Sequence, residues 1–246
     1  MTTPALLAVS HGTASATGAG AVATLVEAVA ARLPDVPVHA GFVDVQQPDV
    51  PACLGGLRAA AAGAVVVPLL LSAGYHVHVD LREDVDAATT AGDQVTLGGA
   101  LGPDDRLVGV LERRLAEAGV RDDDVVVLAA AGSSDARAVA DCEATAARLG
   151  DRLGSRVGVG YIANAVPRVH EVVAAARAEH PGRRVVVASY LLAPGFFADL
   201  AARAGGDVTT APLLVADEDA PTELVDVVVE RYRAAVTAAG APLPTA

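Results

Sequence analysis

The chain is expected to fold as two similar α/β domains, each a mainly parallel sheet flanked by helices, facing each other across a cleft. Three observations predict this. Short β-branched and aliphatic runs alternate with longer Ala-rich stretches, the second half repeats the first, and 52% of the residues are hydrophobic. Strand–helix alternation gives an open sheet covered on both faces. A length of 246 residues suffices for two units with cores of their own.

Leu6–Ser10, Val36–Val43, Ala64–Leu71, Val125–Ala130, Arg156–Ile162 and Arg184–Leu192 read as buried strands, because continuous apolar runs fit strands covered on both faces. Gly18–Leu33, Pro48–Ala62, Arg106–Ala118, Ala136–Leu153, Ala165–Glu179 and Thr222–Ala239 read as helices. Pro103, Pro167 and Pro221 lie at or just before helix starts, where a missing N–H costs nothing.

The repeat is legible residue by residue. Leu6-Leu7-Ala8-Val9-Ser10-His11-Gly12-Thr13 aligns with Val126-Val127-Leu128-Ala129-Ala130-Ala131-Gly132-Ser133. Gly41-Phe42-Val43-Asp44, with Pro48 beyond it, aligns with Gly160-Tyr161-Ile162-Ala163 and Pro167. Pro68–His76 aligns with Ser189–Phe197, so that all three blocks repeat at an offset of about 120 residues. Two duplicated domains follow, residues 1–119 and 124–246, joined by the short charged segment Gly119–Asp124. A linker of that length holds them close.

Composition removes several function classes. Aromatic residues are 3% and Trp is absent, which leaves no base-stacking platform. A net charge of -12 lacks the basic footprint of a duplex binder, so no nucleic-acid partner is expected. Cys53 and Cys142 stand far apart, outside any CxxC spacing, which argues against a disulfide framework or a structural zinc site. Met1 to Ser10 carries no basic leader, and the longest apolar run, Ala64–Leu71, is far below the roughly 20 residues that span a bilayer. A cytoplasmic protein without a membrane partner is expected. No G-x-G-x-x-G follows the first strand, and Walker and G-x-S-x-G patterns are absent.

The chemistry is expected where the two copies differ. His11, Asp44 and His76 end three strands of the first half, and Ala131, Ala163 and Phe197 take their places in the second. Ligands of open α/β sheets bind beyond the carboxyl ends of the strands. Imidazole and carboxylate donors converging there suit Fe(II), Co(II), Ni(II) or Zn(II) with open coordination positions. Asp44 taken alone also suits a helix cap, with Pro48 just beyond it. His78, two residues after His76, lies on the same side if the segment is extended, as a further ligand or a rim residue. His39, His170 and His180 read as surface residues.

Ser10-His11-Gly12-Thr13, Gly41-Phe42-Val43-Asp44 with Pro48, and Pro68–His76 resemble the motifs of the CbiX/SirB sirohydrochlorin chelatase family, in its long two-domain bacterial form. Leu101-Gly102-Pro103-Asp104 and Ala193-Pro194-Gly195-Phe196-Phe197 extend the likeness over nearly the whole chain. The resemblance implies a class II chelatase-like fold and insertion of Co2+ or Fe2+ into sirohydrochlorin, toward cobalamin or siroheme. Nickel is a further candidate. It implies that His11 and His76 are metal-binding and catalytic, with the metal as substrate and no permanently bound cofactor. The family usually has Glu where this chain has Asp44, one methylene shorter, so the alternatives are a metal drawn toward the Asp44 strand, a water between acid and metal, or a carboxylate that does not touch the metal, with His78 a candidate to compensate. Cationic side chains should meet the carboxylates of a sirohydrochlorin-like tetrapyrrole, and Arg82, Arg137 and Arg168 follow the motif segments in sequence. A monomer is expected, since each half supplies the other's partner surface. The alternative is a carrier of the same fold that binds metal or tetrapyrrole without inserting one into the other.

Overall fold

In a computed structural model of the chain, which describes residues 3–60, 63–74 and 79–240, the repeat takes the form of two four-stranded parallel sheets. The first contains β1 (Ala5–Ser10), β2 (Val38–Phe42), β3 (Ala64–Pro68) and β4 (Val95–Leu97), in the order β2-β1-β3-β4. The second contains β5 (Val125–Ala130), β6 (Gly158–Tyr161), β7 (Val185–Tyr190) and β8 (Val208–Thr209), in the order β6-β5-β7-β8. The order is the same in both, and so is the register. Val9 pairs with Gly41 in the first sheet, and Ala129 pairs with Gly160 in the second.

The helices are α1 (Ala16–Arg32), α2 (Val50–Ala59), α3 (Leu81–Thr90), α4 (Asp105–Glu117), α5 (Ala136–Leu153), α6 (Val169–Glu179), α7 (Phe196–Ala202) and α8 (Thr222–Ala238). The sequence reading passes over β4, β8, α3 and α7. The two strands have three and two residues, too few to show a period. In α3 the signal is present, since Leu81, Val85 and Ala88 are its buried face, but acidic residues surround it. The apolar run Ala64–Leu71 is shorter as a strand than expected: β3 ends at Pro68, and Leu69–Leu71 leave the ladder.

Alternate residues of the central strands serve different layers, as the period of two requires. Leu7, Val9 and Val66 pack outward under α2 and α3. Val127, Ala129 and Val187 pack outward in the second sheet, under α6 and α7. Leu6, Ala8, Val65 and Val67 face inward, and so do Val126, Leu128, Ala188 and Tyr190, all in one continuous cluster. That cluster is closed by α1, α4, α5 and α8, which form a helical layer between the sheets.

Two of these helices have changed places. α4 follows the first sheet in sequence but lies against β7 and α5, whereas α8 follows the second sheet and lies against β3, β4 and α1. Tyr232 on α8 donates its hydroxyl to Pro4 O at 2.6 Å, and Arg231 donates to Ala100 O and Leu101 O. The chain crosses before α4, in residues 98–104, and the short segment Gly119–Asp124 then leads from α4 into β5 of the half that α4 packs against. Its buried Asp124 carboxylate accepts from Arg184 and from Arg121 N.

Because the inner layer is shared, the halves should unfold together. Leu111→Ala in α4 and Leu224→Ala in α8 should each lower stability by about 2–5 kcal/mol while a single denaturant transition is kept. Two resolved transitions would contradict the shared core. The Arg184 hydrogen bond, opposed by burial, holds the Asp124 carboxyl below its ordinary range. Its contribution is therefore present above the unfolded value of about 3.9 and lost as pH falls through the lower folded value. Asp124→Asn should be less stable than wild type at pH 7, with a gap that closes toward pH 3. A gap that stays constant over that range would count against this anchor.

Candidate functional site

At the carboxyl end of the first sheet the main chain builds a fixed junction. Val43 N donates to Ser10 O at 2.9 Å, and Asp44 N donates to His11 O at 3.1 Å. The ladder between β1 and β2 thus continues one step past the strands, and ties His11 to Asp44 through their backbones. Gly12 follows with φ +90, and a Cβ there would run into the Asp44 carbonyl. Only glycine combines that torsion with that approach. Gln46 reaches back to accept from Thr13 N at 2.9 Å, and Asp44 Oδ1 accepts from Val45 N at 2.7 Å. His11 and Asp44 are both exposed. The cap of α2 is Asp49, whose side chain accepts from Ala52 N, so the capping role open to Asp44 belongs to another residue.

The second half repeats this junction without its donors. Ile162 N donates to Ala130 O at 2.9 Å and Ala163 N to Ala131 O at 2.9 Å. Gly132 has φ +89 and lies against the Ala163 carbonyl. Asn164 takes the left-handed conformation, φ 53, that Val45 takes in the first half at φ 62. One backbone is built twice, and metal-capable side chains stand on one copy.

His76 and His78 lie outside the described residues, but the segment leading to them is fixed. Tyr190 donates its hydroxyl to Leu71 O at 3.0 Å, and Ala73 N donates to Asp141 Oδ2 at 2.8 Å. Ser72 is hydrogen-bonded to the Cys142 thiol, and Gly74 packs on Ser133 and Ala138. Every one of these partners belongs to the second half. Reciprocally, Gly18 of α1 lies against Pro194 O, and Gly195, at φ +150, lies against Thr13 and Ser15. The strand-end loops of the two sheets therefore meet each other in pairs. Sequence reading missed Asp141, Tyr190 and Gln46, since contacts across the repeat leave no local pattern.

Among the described residues, no three His, Cys, Asp or Glu side chains gather as a metal-binding group, and the junction joins His11 and Asp44 alone. Burial pushes the Cys142 thiol up to about 12, and burial with nearby Asp49 also raises Cys53. Both stay protonated near pH 7 and offer no thiolate. Arg137 is paired with Asp135 at its own helix start, and Arg168 donates to Ile162 O beside the second junction. Arg82 is exposed on α3. His39 and His170 are exposed and His180 is half-buried. Four large apolar residues are exposed among the described ones: Val45 (56%), Val166 (77%), Phe196 (68%) and Phe197 (37%). All four follow strand ends.

A family model described as CbiX matches residues 5–118 and 125–216. Among solved structures, the chain is similar to SirB from Bacillus subtilis with Fe3+, at 22% identity and a TM-score of 0.81, covering 98% of each chain. It is also similar to the sirohydrochlorin chelatase SirB from Bacillus subtilis subspecies spizizenii in complex with cobalt, at 20% identity and 0.75, covering 96% of each. A third likeness is to CbiX, the terminal enzyme for biosynthesis of siroheme in denitrifying bacteria, at 17% identity and 0.64, covering 92% of this chain and 98% of that one. At these identities the likenesses show the fold. No curated protein matches the chain.

Gly12→Ala and Gly132→Ala disturb equivalent turns and should cost similar stability, about 1–3 kcal/mol. By calorimetric titration with Co2+, the first should weaken binding at least about tenfold and the second leave it nearly unchanged if the metal is held beside His11 and Asp44, since a tenfold loss needs a disturbance of only about 1.4 kcal/mol. Equal losses from both would contradict a site confined to the first junction.

Proposed function

The chain belongs to the CbiX family, and from that premise we propose that it inserts a divalent metal ion, Co2+ or Fe2+, into sirohydrochlorin, toward cobalamin or siroheme. The observation that carries the reading is the duplicated junction with donors on one copy: His11 and Asp44 against Ala131 and Ala163 on the same hydrogen-bonded frame. A frame kept twice while its donors stand once fits a cleft with a metal side and a plain side.

His11 and His76 hold the incoming ion, with Asp44 balancing its charge directly or through a water. His78 is the further candidate ligand. Metal entry replaces two pyrrole N–H bonds with metal–nitrogen bonds and releases two protons. A neutral imidazole accepts a proton in the working pH range, and the carboxylate beside it relays the second. Holding the ligands on strand ends keeps ion and ring in register without a covalent intermediate. Arg82 and Arg168 are the cations proposed to meet the peripheral carboxylates, with Arg137 less free to do so because it is engaged by Asp135. Nickel remains a substrate to be compared with cobalt and iron.

Residues 1–119 carry the working site in this reading, and 124–246 complete the cleft. The exchange of α4 and α8 supports a monomer, because each sheet already receives one of its inner helices from the other half. Among the described residues no helix is long and apolar enough to cross a membrane.

An anaerobic absorbance assay with sirohydrochlorin and Co2+ or Fe2+ tests the proposal. Wild type should turn over repeatedly, and His11→Ala and His76→Ala should each lose at least about 100-fold in rate. Stoichiometric metal binding with no rate above the uncatalysed background would overturn it in favour of a carrier.

A further inference from the structure

Apolar exposure among the described residues is concentrated at one end of the two sheets, and its largest part is an aromatic pair. Phe196 and Phe197 open α7, with ring centroids 6.1 Å apart and planes tilted by 49°. They are two of only three Phe in the chain, and Phe196 leaves 68% of its surface in water. Leaving such rings wet forgoes burial that the core could have used. Their position is fixed from the opposite half. Pro194 lies against Gly18 at the start of α1, and Gly195 lies against Thr13 and Ser15, within the loop that begins at His11. The φ of +150 at Gly195 admits glycine and little else, so the turn that launches the pair is specified. In the repeat, Phe197 occupies the place of His76. The second copy has thus exchanged a metal-capable side chain for an aromatic one, directly beside the loop that carries the first copy's His11.

We propose that Phe196 and Phe197 form an apolar ledge on the second half, on which one face of the macrocycle rests while the first half presents the metal. This rests on the tetrapyrrole reading above. A tetrapyrrole has a π-rich, apolar face and a carboxylated rim, and tilted aromatic rings match the face while they do nothing for the rim. The ledge sets the side from which the ion arrives. It binds ring and leaves metal affinity to the histidines, so the two affinities separate by residue.

The test uses the full-length chain and metal-free sirohydrochlorin, followed by its intrinsic fluorescence, with Co2+ binding measured separately by calorimetry. The double variant Phe196→Ala/Phe197→Ala should raise the tetrapyrrole Kd and the KM at least about tenfold, the loss expected from one ring left uncovered. Co2+ affinity should stay close to wild type and the thermal midpoint should fall only modestly, because Phe196 stands mostly in water while Phe197, at 37% exposed, loses some packing. Phe196→Tyr/Phe197→Tyr, which keeps the rings, should recover most of the affinity. Wild-type tetrapyrrole affinity in the double Ala variant would overturn the ledge alone. A wild-type chain that binds Co2+ but no tetrapyrrole would overturn the functional reading and the ledge with it.

Discussion

The site depends on one hydrogen bond, Asp44 N–H to His11 O, made one step beyond the end of the β1–β2 ladder. It sets His11 and Asp44 side by side through the main chain. Gly12 makes the bond possible, because any Cβ at that position would occupy the space of the Asp44 carbonyl. Gln46 and the left-handed Val45 then close the turn around it. Both residues are exposed, and their placement at the main chain is fixed during folding.

The second half acts on this junction from outside. It holds the chain between β3 and His76 by Tyr190, Asp141 and Cys142, and it presses Pro194 and Gly195 onto the loop after His11. Loss of its own donors therefore does not make it dispensable. The exchange of α4 and α8 fixes the two sheets to one inner layer, and that in turn fixes how closely the loops approach. A hinge between independent domains would be a poor frame for loops that meet atom against atom, and the continuous core removes it.

Much of this was legible beforehand, for physical reasons that differ by element. The central strands β1, β3, β5 and β7 show as apolar runs because both of their faces are covered. His11 and Asp44 stood out because the repeat supplied an internal control, with Ala131 and Ala163 in the same places. The helix exchange was not legible, since α4 and α8 have the same apolar face whichever sheet they cover. Nor were Asp141 and Tyr190, which act on a loop about 70 and 120 residues away in sequence and belong to elements that look structural. The aromatic pair could be read as a substitution for His76 but not as an exposed one, because burial is decided by packing.

One frame is built twice, and in the proposed function side-chain identity alone confines the metal to the first copy. Co2+ stoichiometry measured on wild type and on the triple variant Ala131→His/Ala163→Asp/Phe197→His tests this most directly. Wild type should bind one ion per chain and the variant two. Two ions in wild type, or a variant that folds as wild type does yet still binds one, would contradict it.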